Sequence, residues 1–285
     1  MEQKNVTTTY LIPTRRCNLS CGHCDISKTW TCEDISKFMD SFRKLACKNC
    51  ILFGGEPLLL KRDTFDEIVD SGKVSSISSN LLLLDSHVIR KLAENGISVA
   101  TSWNYSRFRD GNELDVWLLN IVKLLENRIY VTILITLTED LCSGAESKTI
   151  FFQVLDRISG IMDDERLMGN LRGVRFEPFV QSTHELIMKA DALMVEVYHR
   201  NYKFINILAD DYKRGNIHNC AEIYTLMEDG RLINSCPHEV NDNILEEYLS
   251  CKYSKVCKPC KKQNVCTFFK RFFEVLNHGN ESTVL

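Results

Sequence analysis

Strand-like apolar runs alternate with amphipathic stretches along the first 211 residues of the chain. The run TTTYLIP (7–13) is rich in β-forming residues, and EDISKFMDSFRKLA (33–46) repeats apolar residues at helical spacing. Five more pairs follow, with strands predicted at 50–53, 74–78, 97–103, 129–137 and 173–180 and helices at 64–72, 85–96, 113–127, 147–162 and 184–211. In the third pair, Asp85 is the predicted helix cap and Gly96 the predicted stop. Six such units predict an α/β fold whose parallel sheet is covered by helices, either curled toward a barrel or open.

Polar or glycine-rich segments follow several of these strands. Functional residues in parallel α/β folds gather at the carboxyl ends of the strands. The candidates there are a cysteine loop after the first strand, Gly54-Gly55-Glu56-Pro57 after the second, Ser78-Ser79-Asn80, Ser102-Trp103-Asn104 and Glu177. Glu177 is charged within an apolar strand and needs a partner. It is a candidate base or polar anchor in the cavity, and a structural ion pair with Arg175 or Arg172 is the alternative.

The pattern changes after about residue 215. The stretch CAEIYTLMEDGRLINSC (220–236) predicts a β-hairpin with Asp229-Gly230 at its turn, and cysteines crowd together after it. We therefore predict two domains, a core at 1–214 and a smaller, cysteine-rich domain at 215–285.

Composition and charge exclude several classes of protein. The 285 residues include 13 cysteines, an odd number, and no apolar N-terminal segment directs the chain to an oxidising compartment. Metal-binding thiols in a cytoplasmic protein are therefore expected. The apolar runs are far shorter than the roughly 20 residues that cross a bilayer, so no membrane span is expected. A net charge of −3 with interspersed signs gives no reason to expect binding to nucleic acid or to an anionic membrane.

Four cysteines outside the two clusters are expected to be ordinary buried residues: Cys32, Cys47, Cys50 and Cys142. The spacing of Cys47 and Cys50 is also that of a redox pair. Both lie where a predicted helix ends and a strand begins, at the edge of the sheet opposite to the candidate residues.

The loop RRCNLSCGHCD (15–25) places three cysteines within eight residues, at Cys17, Cys21 and Cys24. Structural zinc sites use four protein ligands, so three thiolates leave one metal position open. On a [4Fe–4S] cluster, three thiolates bind three irons, and the fourth iron can accept an external ligand. The spacing therefore favours an iron–sulfur cluster with one open iron.

With this loop, and with Gly54-Gly55-Glu56-Pro57 after the second strand, residues 7–210 resemble the radical S-adenosylmethionine (SAM) superfamily. The resemblance implies a partial (β/α)6 barrel in which Cys17, Cys21 and Cys24 hold a [4Fe–4S] cluster whose open iron is chelated by SAM. The reduced cluster would cleave SAM to a 5′-deoxyadenosyl radical that abstracts a hydrogen atom from the substrate. The residues that it implies around SAM are His23, Gly54, Gly55, Glu56, Pro57, Ser78, Asn80, Ser102 and Asn104. The alternatives are a solvent-facing His23, and serines and asparagines that only form turns.

The C-terminal cysteines resemble the SPASM and twitch extensions of this superfamily, which hold auxiliary iron–sulfur clusters. The full SPASM pattern has a further cysteine four residues after Cys266, where this chain has Lys270 and no later cysteine. The resemblance therefore implies a twitch-like domain with one auxiliary [4Fe–4S] cluster. Its first-choice ligands are Cys220, Cys236, Cys257 and Cys260, with Cys266 or Cys251 as a substitute. By spacing alone, these thiolates fit structural zinc equally well.

The resemblance also implies a substrate. SPASM and twitch members mostly crosslink or epimerise ribosomally made peptides, and we expect a peptide here; the alternative is the dehydrogenation of an aminocyclitol or sugar alcohol. An external one-electron reductant is an implied partner. Only about ten residues precede the first strand, so a separate leader-peptide-binding protein is a candidate partner too. A non-enzymatic zinc- or nucleic-acid-binding protein is a third alternative, but it leaves Gly54-Gly55-Glu56-Pro57 unexplained.

Overall fold

The computed structural model describes residues 8–21, 24, 35–47, 49–107, 111–178, 184–202 and 223–233. Strands and helices alternate through most of them, as the sequence predicts. The strands are β1 (Thr8–Leu11), β2 (Cys50–Leu52), β3 (Val74–Ser78), β4 (Ser98–Trp103), β5 (Val131–Leu137), β6 (Leu171–Pro178), β7 (Ile223–Leu226) and β8 (Leu232–Ile233). The helices are α1 (Ser36–Lys44), α2 (Arg62–Asp70), α3 (Ser86–Glu94), α4 (Gly111–Glu126), α5 (Glu139–Ser143), α6 (Ala145–Asp163), α7 (Glu165–Met168) and α8 (His184–His199), with a 3-10 turn at Pro57–Leu59.

The strands are amphipathic in the way that a half-covered sheet requires. Buried and partly exposed residues alternate along the whole of β5, because successive side chains of a strand point to opposite faces. The buried face packs against the helices, where the Trp117 indole of α4 donates to Thr101 Oγ1 of β4 at 2.8 Å. Trp103 and Phe176 of the same face both pack against Phe151 of α6. The opposite face of the sheet is left partly open.

The ends of the third helix confirm the cap that the sequence predicts. Asp85 precedes α3 and accepts a hydrogen bond from the Val88 amide at 2.8 Å. Gly96 follows the helix with a φ of +63°, which suits glycine. The short helices α5 and α7 are not predicted from the pattern, because neither is long enough to show a helical repeat.

The sheet has eight strands in the order β6-β5-β4-β3-β2-β1-β7-β8. Every neighbouring pair is parallel except β7 and β8, which form an antiparallel hairpin. The α/β fold is thus confirmed, and among the described residues the sheet is open, with β6 and β8 at its two edges. The carboxyl ends of β1 to β6 lie along one edge, which gathers the loops that follow them.

The predicted hairpin is present, but it continues the core sheet. Its turn is closed by the Gly230 amide, which donates to the Met227 carbonyl at 2.9 Å. β7 pairs in parallel with β1, so that Thr8 lies beside Ile223 and Leu11 beside Leu226. Most of residues 215–285 lie outside the described residues, so a domain boundary near 215 stays a prediction.

No helix within the described parts of the chain is long and apolar enough to cross a bilayer. The cytoplasmic location stays a prediction from the cysteines.

Candidate active site at the carboxyl ends of the strands

The three N-terminal cysteines follow β1 as free thiols. Cys17 and Cys21 are half-buried, and Cys24 is exposed. The Leu19 amide donates to Cys17 Sγ at 3.4 Å, and the Cys24 amide donates to the Cys21 carbonyl at 3.2 Å. Burial raises the pKa of the Cys17 thiol, and the Leu19 amide opposes this shift. Two of the three cysteines are thus partly shielded from solvent, and the third is exposed.

Gly54 and Gly55 hold the segment before the cysteines against the end of β2. The Gly55 amide donates to the Thr14 carbonyl at 3.0 Å, and the Glu56 amide donates to the Arg16 carbonyl at 2.7 Å. A Cβ on Gly54 would lie 2.4 Å from the Thr14 carbonyl oxygen, and one on Gly55 would lie 2.1 Å from that of Arg16. Only residues without a Cβ allow these two backbone segments to approach so closely.

The Glu56 side chain is fully buried and bonds to the loops after β2 and β3. Its Oε1 accepts from the Leu58 amide at 3.0 Å and from Ser79 Oγ at 2.8 Å, and its Oε2 accepts from the Asn80 amide at 2.8 Å. Burial raises the pKa of Glu56, and the three hydrogen bonds act in the opposite direction. Glu56 thus fixes the loop after β2 to the loop after β3.

Asn80 extends this network to the cysteine loop. Its side chain is almost fully buried. The Asn80 Nδ2 donates to Asn18 Oδ1 at 2.7 Å, and its Oδ1 accepts from the Leu82 amide at 3.0 Å. Asn18 lies directly after Cys17, so a chain of contacts runs from Glu56 through Asn80 to the first cysteine.

Asn104, just after β4, has a buried donor that is unpaired among the described residues. The side chain is 0% exposed, and its Oδ1 accepts from Ser106 Oγ at 2.9 Å. No acceptor in the described parts of the chain reaches its Nδ2. Buried amide groups are rarely left unpaired in folded proteins, so this nitrogen is well suited to donate to a ligand.

Arg107, three residues further on, reaches back across the site. Its Nε donates to Cys21 Sγ at 3.4 Å, and its Nη1 donates to Ser102 O at 2.7 Å and to Ser102 Oγ at 2.5 Å. Arg107 was not among the site residues predicted from the sequence. The signal in the sequence was its place in the loop after β4, close to the candidates Ser102 and Asn104.

An ion pair joins the β7–β8 hairpin to the segment before the cysteine loop. Arg15 Nε lies 2.8 Å from Glu228 Oε1, and the Glu228 side chain is 8% exposed. Glu228 Oε2 has no hydrogen-bond partner among the residues that the structure describes. This contact was also missed, because the two residues are more than 200 positions apart.

The thiols fit an iron–sulfur cluster better than a single metal ion. Among the described residues, no three His, Cys, Asp or Glu side chains are gathered as a single ion requires. In a cluster each thiolate binds a different iron, so the sulfurs need not converge on one point. Three free thiols with backbone amide and guanidinium donors beside them have the donor chemistry that a cluster needs.

Several candidate residues fall where the structure describes little or nothing. His23, Cys32, Cys220, Cys236, Cys251, Cys257, Cys260 and Cys266 lie outside the described residues. Glu177 lies in β6, where its backbone is in register with Thr136 of β5, and the role of its side chain stays a prediction.

The other described cysteines are buried, as expected. Cys47, Cys50 and Cys142 are each at most 2% exposed. Burial raises the pKa of the Cys50 thiol and that of Cys142, the latter to about 12. The Cys50 and Cys142 thiols therefore stay protonated and unreactive near neutral pH.

A comparison with protein families matches residues 11–140 to the family described as the radical SAM superfamily. The matched region contains the cysteine loop, Gly54-Gly55-Glu56-Pro57 and the ends of β3 and β4. No curated protein matches the chain.

Solved structures resemble the chain at low sequence identity. Native anSMEcpe with bound AdoMet is 14% identical, with a TM-score of 0.59, over 97% of this chain and 100% of that one. Streptococcus suis SuiB is 12% identical, with a TM-score of 0.51, over 97% of this chain and 68% of that one. SuiB bound to the precursor peptide SuiA is 11% identical, with a TM-score of 0.53, over 88% of this chain and 70% of that one. At such identities the likeness shows the fold alone.

Proposed function

Because the chain is a radical SAM enzyme, with its radical SAM domain at residues 11–140, we propose that it abstracts a hydrogen atom from a ribosomally made peptide and thereby crosslinks or epimerises it. One observation carries the proposal: Gly55, Glu56 and Asn80 hold a three-cysteine loop at the carboxyl edge of the sheet. At the same edge lies the buried Asn104 amide, whose Nδ2 has no acceptor among the described residues.

In this proposal Cys17, Cys21 and Cys24 hold a [4Fe–4S] cluster with one open iron. When bound, the cluster and SAM supply a 5′-deoxyadenosyl radical, formed with one electron from an external reductant. The chain's own part is to hold the cysteines at the carboxyl edge of the sheet through the contacts of Glu56 and Asn80. His23 is the candidate contact to the adenine.

We propose that SAM lies along the ends of β2, β3 and β4. Gly54, Gly55, Glu56 and Pro57 would face its amino group through backbone atoms, because the Glu56 carboxylate is already bonded by donors of the chain. Asn104 would donate through its Nδ2, for which the described residues offer no acceptor. The other candidate contacts are Ser78, Asn80 and Ser102.

The open face of the sheet supports a peptide substrate. The residues of β3, β4 and β5 on that face are partly exposed, uncharged and mostly small: Ser76, Ser78, Ser98, Ala100, Ser102, Thr132, Leu134 and Thr136. Such a surface leaves room for a chain segment and presents hydroxyl groups to its backbone. Two structures of similar fold, of anSMEcpe and SuiB, contain a Kp18Cys peptide and the precursor peptide SuiA.

The proposal includes one auxiliary [4Fe–4S] cluster in the C-terminal region, held by Cys220, Cys236, Cys257 and Cys260, with Cys266 or Cys251 as a substitute. It also includes a separate leader-peptide-binding protein as a partner.

Removing the three loop cysteines is expected to abolish SAM cleavage. In the Cys17/Cys21/Cys24→Ala variant, iron should fall from about eight to about four per chain after anaerobic reconstitution, since each cluster holds four. Formation of 5′-deoxyadenosine from SAM and dithionite should be lost. The matched control is Cys142→Ala, a buried cysteine of α5 outside the site, which should keep its iron and activity. A wild type that holds no iron would overturn the proposal. About four irons in the wild type and none in the triple variant would overturn only the auxiliary cluster.

Replacing Asn104 by alanine is expected to weaken SAM binding about tenfold, because one hydrogen bond of typical strength is lost. The Nδ2 has no partner in the described chain, so the effect on the free energy of unfolding should be smaller than the effect on binding. Calorimetric titration of the reconstituted protein with SAM measures the first, and urea unfolding measures the second. Unchanged SAM affinity would place SAM elsewhere.

A small precursor gene beside the gene for this protein would favour the peptide, and coexpression of the two genes followed by mass spectrometry is the test. A crosslink removes a pair of hydrogens, and an epimerisation carried out in deuterated water replaces one hydrogen by deuterium at the altered carbon. An unmodified precursor, together with oxidation of a purified aminocyclitol or sugar alcohol, would favour the dehydrogenase instead.

A further inference from the structure

The guanidinium of Arg107 is fixed in a direction that suits one of the cluster cysteines. Two contacts from Nη1, to the Ser102 carbonyl and to its hydroxyl, hold one corner of the planar group. The remaining geometry aims Nε–H at Cys21 Sγ, 3.4 Å away. Arginine has five donors in a rigid plane, so fixing one nitrogen also orients the others.

The hydrogen bond between Arg107 and Cys21 is partly shielded from solvent. Arg107 and Cys21 are both half-buried, and a hydrogen bond from a charged donor is stronger than a neutral one. Ser102 is the next-to-last residue of β4. The contact thus ties the end of the fourth strand to the second cysteine of the loop, through a pair of residues 86 positions apart.

We propose that Arg107 is a positioning residue that holds Cys21 by a charged N–H···S hydrogen bond and raises the reduction potential of the cluster bound there. The inference rests on the proposed function. One-electron reduction adds a negative charge to the cluster, and a nearby cation and a donor to sulfur both stabilise that charge. Hydrogen bonds to the sulfurs and net charge are among the features that set the potential of iron–sulfur clusters. The electron comes from the external one-electron reductant.

The test compares the midpoint potentials of the wild type and its variants, each as anaerobically reconstituted full-length protein without SAM. Electron paramagnetic resonance detects the reduced cluster during the redox titration. In Arg107→Gln, the ratio of reduced to oxidised N-terminal cluster at a fixed potential should fall about tenfold, a shift of about 59 mV to more negative values. Arg107→Lys keeps the charge but not the planar fork, so its shift should be smaller. The matched control is Arg90→Gln on α3, whose partner is Glu94, and its potential should equal that of the wild type.

Iron analysis separates failure of this inference from failure of the proposed function. A variant Arg107→Gln with its full iron content and the wild-type potential overturns the role of Arg107 and leaves the radical SAM function standing. If that variant does not hold iron, the midpoint potentials of Arg107→Lys and Ser102→Ala test the inference instead. Each of these variants loosens the contact to Cys21 while keeping a cation. Unchanged potentials in both overturn the inference. A wild type without iron overturns the proposed function and this inference with it.

Discussion

Replacing Gly55 by alanine is expected to prevent loading of the N-terminal cluster and to destabilise the fold by about 3 kcal/mol. The added Cβ would lie 2.1 Å from the Arg16 carbonyl oxygen and 2.5 Å from that of Arg15. Both atoms belong to the backbone, so no side chain can rotate away. The segment that leads to Cys17 must move instead, and the hydrogen bonds from Gly55 and Glu56 to it are lost.

Iron per chain after anaerobic reconstitution and the urea midpoint of the apoprotein are the two measurements. The control is Gly160→Ala, an exposed position within α6 where an added Cβ meets no atom within 4 Å. That variant should keep its iron and gain about 0.5–1 kcal/mol, the usual advantage of alanine over glycine in a helix. Full iron content in Gly55→Ala would show that the contact between the two segments is not needed for the cluster.

Replacing Glu56 by glutamine is expected to cost about 2 kcal/mol of unfolding free energy. The carboxylate accepts hydrogen bonds on both oxygens, from Leu58 and Ser79 on one and from Asn80 on the other. An amide has only one acceptor oxygen, so its NH2 group must face a donor. One buried N–H is then left unpaired, which weakens the link between the loops after β2 and β3.

The pH dependence of stability gives a second readout for Glu56. Burial raises its pKa in the folded state, so the unfolded chain loses this proton at a lower pH than the folded one. The folded state binds more protons in that interval, and the contribution of Glu56 to stability therefore falls as pH rises from the usual glutamate pKa through the raised one. Urea midpoints across this range should show the decline in wild type and not in Glu56→Gln.

The matched control for Glu56→Gln is Glu67→Gln on the outer surface of α2. Glu67 is exposed and pairs with Arg43 at 2.7 Å, and such surface pairs contribute little. Equal urea midpoints for the Glu56 and Glu67 variants would contradict the role assigned to the buried carboxylate.

The sequence predicts the strands and helices well because their signals are local. The alternation along β5 and the helical spacing of Phe38, Met39 and Phe42 are visible within short windows. The cysteine loop and Gly54-Gly55 could be recognised as candidates because particular residues occur there at short, fixed spacing. The site at the carboxyl ends of the strands follows from the parallel order of the sheet.

The contacts that assemble the site could not be predicted, because they join residues that are distant in the chain. Asn18 meets Asn80, Arg107 meets Cys21, and Arg15 meets Glu228. No short window of sequence contains both members of any of these pairs. The pairing of β7 with β1 is of the same kind, since a hairpin is recognised from its turn but its neighbour in a sheet is not.

The position of β1 within the sheet determines when its two edges can pair during synthesis. β1 carries the cysteine loop, and its two neighbours are β2, at residues 50–52, and β7, at residues 223–226. During synthesis the first neighbour emerges early, but the second emerges only when most of the chain has been translated. One edge of β1 therefore stays unpaired until β7 has been made. Contacts of such long sequence separation form slowly. Iron and sulfide that reached Cys17, Cys21 and Cys24 early in translation would meet a sheet without β7 and β8, so we expect the proposed cluster to be inserted after these two strands have paired.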